Sequence, residues 1–330
     1  MKKKLLAIVT TAFVAALAFA LVGCGGNSDS GEGGSSSSEL RFVTGGESGT
    51  YYAYGTVLAQ YSTNNAGVSV NALSSEGSKA NIEALQNNEA ELAFCQSDVT
   101  TYAYEGTSLF EGAPYQDFSV VASLYGEQVQ IVTCDPNIKT VADLKGKTVS
   151  IGAANSGVYF NAVDILGAYD MTEEDINAVY QNFADSADSL KNDKIDAAFI
   201  TAGAPTTAIS DLTTSKQAYL VSMDAEHIAK LQETSPYYAE STIPAGTYNG
   251  MEEDCTTVAV LAVILANDSA DQDAIYNFTK SIFDGAEAQP DAHAKYAELS
   301  LEEATSITSV PYAAGAAKYY EEQGIEVPTK

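Results

Sequence analysis

Hydrophobic and polar positions alternate with two different periods along this 330-residue chain. From Leu40 onward, short β-branched runs give way to segments whose apolar residues recur at helical spacing. The order is "LRFVT", "YYAYGTVLAQYS", "VSVNAL", "SKANIEALQNN" and "ELAFCQSD". Such alternation predicts βαβ units and a largely parallel sheet. After "VQIVTC" the series restarts as "KTVSIGA", "VYFNAVDILGAY", "AVYQNF", "SADSLKNDK" and "DAAFITAG". The two series match step for step. Ser48-Gly49 aligns with Ser156-Gly157, and "LQNNEAELAFCQ" aligns with "LKNDKIDAAFIT" at nearly the same distance downstream. The pattern predicts a duplicated α/β architecture, with two lobes, crossing strands and a cleft lined by the C-terminal ends of parallel strands.

In that architecture each Ser-Gly turn is one binding edge offered to a shared ligand. Gly45, Gly46 and Gly49 permit positive φ and close backbone approach. Ser48 and Ser156 are placed to cap the helices that follow, with Thr50 and Gly157 in their first turns. N–H groups left uncapped there would form an anion site. Tyr51, Tyr52 and Tyr159 are suited to walling an apolar ligand body, or to packing in the core behind structural caps. Gln96, and Thr201 or Gly203, end the matched strands and should lie near the cleft. Glu47 suits either a ligand ammonium group or the positive end of a helix. Arg41 is the only arginine and precedes the first strand, so a bidentate arginine clamp on a ligand carboxylate is not expected. Lys79 reads as a solvated side chain at a helix start.

Composition narrows the function. Hydrophobic residues make up 45% and charged residues 18%, a globular balance, and the formal charge is −28. That surface repels nucleic acid and anionic lipid, so neither is expected as a partner read by basic patches. The chain opens "MKKK", continues with an apolar stretch over residues 5–21, and reaches "LVGC" at Cys24. This is the layout of a lipoprotein signal peptide over residues 1–23, cleaved before a lipidated Cys24. "GGNSDSGEGGSSSS" then has the composition of a flexible tether over residues 24–38. The expected location is extracytoplasmic, lipid-anchored to the outer face of the cell membrane. Cys95, Cys134 and Cys255 remain; a bridge between Cys134 and Cys255 and three free thiols are both open.

Catalytic and metal motifs are missing from the sequence. His227 and His293 sit in polar helical contexts far from either turn and read as surface residues. "GESG" lacks the spacing of a nucleophile elbow, "LKGKT" is only the tail of a phosphate loop, and no paired His/Cys spacing occurs. No cofactor and no metal are expected.

Several segments together resemble the TAXI family of solute receptors from TRAP transporters. "GTYY" (Gly49, Thr50, Tyr51, Tyr52) resembles its Gly-rich turn. Gly77, Ser78 and Asn81 match its "GS-x-x-N" helix start, and Ala93, Gln96 and Asp98 its "A-x-x-Q-x-D" strand end. "ASLYGEQVQIV", which contains Tyr125, is similar to the family's hinge approach. "VADLKGKTVSIG", "NSGVYFNA", "DAAFITAGAPTTAI" and "IPAGTYNG" resemble its later segments. Near the C-terminus "PYAAGAAKYY" departs from the family's His-Pro-Gly-Ala motif. The resemblance implies a two-lobed type II periplasmic-binding-protein fold and capture of a small carboxylate-bearing solute, a glutamate-like amino acid or a dicarboxylate. It also implies delivery to the membrane subunits of a sodium-coupled permease. The expected lobes are 39–127 and 128–255, with 256–330 returning to the first. The competing class is an exported hydrolase on a similar frame.

Overall fold

The computed structural model describes residues 39–330; the signal peptide, Cys24 and the tether lie outside them. The elements follow the predicted alternation. The first half runs β1 (Glu39–Val43), α1 (Thr50–Asn65), β2 (Ser69–Leu73), α2 (Ser78–Gln86), β3 (Leu92–Gln96), α3 (Ser97–Glu105) and the long β4 (Phe118–Thr133). The second runs β5 (Thr148–Ser150), α4 (Gly157–Ala168), β6 (Asn177–Val179), α5 (Phe183–Lys191), β7 (Ala197–Ala202) and α6 (Thr207–Ser215). Then come β8 (Tyr219–Leu220), α7 (Ala225–Thr234), β9 (Ala239–Ile243), the long β10 (Cys255–Asn267), α8 (Gln272–Ala288), α9 (Leu301–Ala304) and α10 (Ala314–Glu322).

The sheet runs β2-β1-β3-β10-β4-β7-β5-β6. Within each half the pairs β1–β2 and β1–β3, like β5–β6 and β5–β7, are parallel. Each half is then closed by an antiparallel long strand, β10 against β3 and β4 against β7. The two halves thus share one order, β2-β1-β3 answering β6-β5-β7. The inner strands β3 and β7 are buried at every position, as strands covered on both faces are.

Burial divides the molecule into lobes. One apolar cluster gathers β1, α1, β3, the first part of β4 and the C-terminal helices α8 and α10. A second gathers β5, α4, α7 and the far part of β4, and a third lies between β7, α6 and Cys255. On β4 the changeover falls between Tyr125 and Val129; on β10 it falls between Val260 and Ala262. The chain therefore passes between lobes along two adjacent antiparallel strands, whose register carries irregularities at Ala262/Val263 and Ile264/Leu265. The fold is mixed α/β and two-lobed, of the periplasmic-binding-protein type.

Cys95 and Cys255 are buried and Cys134 half-buried, all as free thiols. His227 remains near the surface beside Asp224, 2.8 Å from its carboxylate. His293 departs from the expected surface helix. It stands on extended backbone before a short 3-10 turn, and its ring stacks on buried Tyr54 at 4.7 Å. No helix among the described residues is long and apolar enough to cross a membrane.

Candidate ligand-binding cleft

The starts of α1, α2 and α4 converge on one cavity of about 840 Å³ between the lobes. Each follows a strand of a parallel unit, so each presents its N-terminal end where the strands finish. None of the three carries a side-chain cap: the N-cap positions are Gly49, Gly77 and Ser156, and no hydroxyl or carboxylate closes them. Ser156 does not act as the cap its position suggested. Its Oγ turns back and donates to the carbonyl of Ala153 at 2.7 Å. Ser48 stands one residue before the cap, also without a capping bond.

The cavity brings together both turns. Gly46, Glu47, Ser48, Thr50 and Tyr51 line it from the first lobe, with Ser78 and Gln96. Ser156, Gly157 and Thr201 line it from the second. Three residues expected at the ligand stand elsewhere. Tyr125 is fully buried behind the wall, its ring near Tyr54 and under the Lys295 ammonium. Tyr159 turns away to donate to Glu173 at 2.6 Å and to stack edgewise on Tyr180. Gly203 is a lobe contact: its carbonyl accepts from Thr50 Oγ1 at 3.0 Å, and a Cβ on it would meet Lys295 Cε at 2.3 Å. In each case an aromatic or turn residue found a partner inside the protein.

The lobes touch directly around the cavity. Ala80 N donates to the carbonyl of Asn155, and Ala208 N to that of Ser48. Gly157 lies against Gln96 so closely that a Cβ would stand 1.7 Å from Oε1. Gln96 Nε2 in turn donates to Asn161 Oδ1 at 2.7 Å, and Asn161 Nδ2 donates to Asp98 Oδ2 at 3.0 Å. Asp98 is fully buried, and desolvation together with the nearby Asp164 carboxylate pushes it up to about 7. Lys79 is engaged with Glu83 at 2.5 Å and reaches Asn155 across the lobes. Arg41 holds Glu91 with two nitrogens on β1, as an arginine outside the cleft should.

Sequence reasoning missed Glu127. It sits in the middle of the crossing strand β4, is buried, and lines the cavity floor. Tyr51 donates to its Oε2 at 2.5 Å. Burial pushes this carboxyl up to about 8 despite that bond and the more distant Lys295 charge. The "LYGEQ" segment held the signal, the one charged residue of a mostly apolar strand. Thr201 Oγ1 and Gln181 Oε1, both on cavity-lining residues, are buried without a hydrogen-bond partner.

Residues 42–324 match the model of the NMT1-like family. Among solved structures, a protein from Bordetella bronchiseptica RB50 is similar at 17% identity, covering 86% of this chain and 88% of that one, with a TM-score of 0.50. The alkanesulfonate-binding protein from Xanthomonas axonopodis pv. citri bound to MOPS is 16% identical over 86% and 90% of the two chains, TM-score 0.47. The glutamate-bound GluR0 ligand-binding core from Nostoc punctiforme is 13% identical over 78% and 98%, TM-score 0.47. The likeness is one of fold.

Proposed function

We propose, from the premise that this chain belongs to the NMT1-like family, that it is an extracytoplasmic receptor closing two lobes on a small organic solute. One observation carries this reading: matched strand ends from both halves meet on a single cavity, with Glu127 of the crossing strand β4 in its lining. A cavity of about 840 Å³ is of the size that encloses a small molecule. The solute bears a carboxylate. Three helix starts without side-chain caps point N–H groups at one space, and a helix N-terminus favours negative charge. Ser78 and Thr201 add hydroxyl donors. Ser78 Oγ already accepts from Gln96 N at 3.1 Å, so its proton is free to donate.

The finer reading is that of the sequence resemblance. A lipid anchor at Cys24 holds the receptor at the membrane, and a sodium-coupled TRAP permease receives the solute. The residues that carry the resemblance at "GTYY", Ser78 and Gln96 all line or flank the cavity, which supports it. Thermal shift against a panel of small acids and amino acids, followed by calorimetry, tests the receptor. Binding without turnover is expected. Hydrolysis of the bound compound, or no stabilisation by any small solute, would refute it. Solute-dependent sodium uptake in vesicles holding the cognate membrane subunits tests the permease.

A further inference from the structure

We infer that Glu127 is the counter-ion for a cationic amino group on the solute, so that the cleft selects amine-bearing acids and rejects dicarboxylates lacking an amine. The inference rests on the receptor reading and narrows its ligand class.

Among the described residues four carboxylates line the cavity, those of Glu47, Glu76, Glu127 and Asp185, and no lysine, arginine or histidine does. A dianion would enter a space already negative, with only neutral donors to hold it. Among these acids Glu127 is distinct. Glu47, Glu76 and Asp185 are exposed at the rim, where water screens them. Glu127 is 2% exposed, and among the described residues it takes part in no ion pair. The nearby buried cation is committed elsewhere: Lys295 Nζ binds Glu298 at 2.5 Å and donates to the carbonyl of Ala204 at 3.2 Å.

Burying a carboxylate without an ionic partner is costly, and such groups are retained where a partner arrives or a proton is held. Tyr51 fixes one oxygen of Glu127. For the other, no donor exists among the described residues. The group sits on the floor, between the helix starts that would take the carboxylate end of the same molecule. An α-amino acid has the two charges this arrangement separates. Its ammonium would meet Glu127 in a low-dielectric site where attraction is strong. The upward-shifted carboxyl would then give up its proton as the ammonium binds.

The test uses matched probes on the full chain: glutamate with glutarate, and leucine with 4-methylpentanoate, first within a thermal-shift screen of the common amino acids. At least one amine-bearing probe should bind, and its deaminated partner should bind at least 100-fold more weakly. Glu127→Gln, nearly isosteric, should weaken the amine-bearing probe at least 30-fold and leave its deaminated partner unchanged or tighter. A deaminated acid binding as well as its amine-bearing partner overturns the inference, as does a Glu127→Gln protein that keeps the wild-type selectivity. So does failure of every amine-bearing probe, while the receptor reading would survive if glutarate or another amine-free solute bound. Should Glu127→Gln fail to fold, the matched pairs on the wild-type chain decide alone.

Discussion

Hydroxyl protons in the cleft are not equivalent, and this separates serines that the sequence treats alike. Ser156 Oγ spends its proton on Ala153, and Thr50 Oγ1 spends its own on Gly203. Ser78 accepts from a backbone N–H and retains a donor. A carboxylate only accepts, so Ser78→Ala should cost about 1.5–3 kcal/mol of affinity and Ser156→Ala less than about 0.5 kcal/mol. Calorimetry on the two variants with one bound acid checks the order; equal losses would contradict it. A second expectation concerns Gly157, whose missing Cβ lets the lobes meet against Gln96 and Ser78. Gly157→Ala should wedge the closed form by about 1–3 kcal/mol and lower affinity accordingly. Calorimetry on the variant checks the loss; an unchanged affinity would contradict it. At this scale positions fixed by backbone geometry, such as Ser48, Gly157 and Gln96, stand on the cavity as the sequence placed them, although Ser48 makes no capping bond. Tyr125 and Tyr159 do not line it: Tyr125 packs its ring in the first lobe's core with its hydroxyl unpartnered, and Tyr159 turns to Glu173. Glu127 escaped because β4 is buried on both faces, which erases the alternation that would mark an inward acid.

Helices α3 and α4 form a seam between the lobes that mixes aromatic and polar contacts. Phe160 of α4 enters the first lobe's cluster, with ring centroids 6.0 Å from Tyr102 and 5.8 Å from Phe110. Beside it, Asp98 faces Asn161 and Gln96, while Asp164 accepts from Tyr238 and Tyr102. Among the described residues no basic side chain pairs with either acid. The folded Asp98 lies at about 7, above the ordinary aspartate value near 3.9, so the fold binds an extra proton between the two. Its contribution to stability is full below the unfolded value and is lost as pH rises through about 7; Glu127, at about 8, acts in the same direction. Melting temperature should therefore fall between pH 5 and pH 8, and Asp98→Asn should flatten the slope. A slope unchanged by that substitution would show that the seam stays neutral for another reason. The elements themselves were legible, since "VYFNAVDIL" has the spacing of α4 and the matched strands emerged in their sheet order. The seam was not, although Asn161 and Asp164, three apart in an otherwise apolar helix, were its mark.

Across the whole molecule, charge and duplication act on different properties. The acids outnumber the bases 44 to 16, and among the described residues most ion pairs are exposed or half-exposed, where they contribute little. Self-repulsion on this scale works against the compact state, so raising sodium chloride from low to moderate concentration should raise the melting temperature by several degrees. A fall would mean that attractive pairs outweigh the net charge. The duplicated order was readable because each half repeats the same landmarks in register. The point where β10 changes lobes was less so: "VAVLAVIL" is an unbroken apolar run with no mark inside it, and the changeover falls near Leu261 rather than at Cys255.

The ribbon formed by β4 and β10 has a mechanical meaning. Two strands bonded to each other along Ala259–Asn267 resist sliding but yield to bending and twist, so the lobes move as levers on a short torsion bar. A small rotation there is multiplied with distance from the axis. Groups on the ribbon, Glu127 among them, would shift least, and surfaces remote from it would travel furthest. Fluorophores on one remote surface of each lobe would turn occupancy of the cleft into a distance signal without touching the residues that create it.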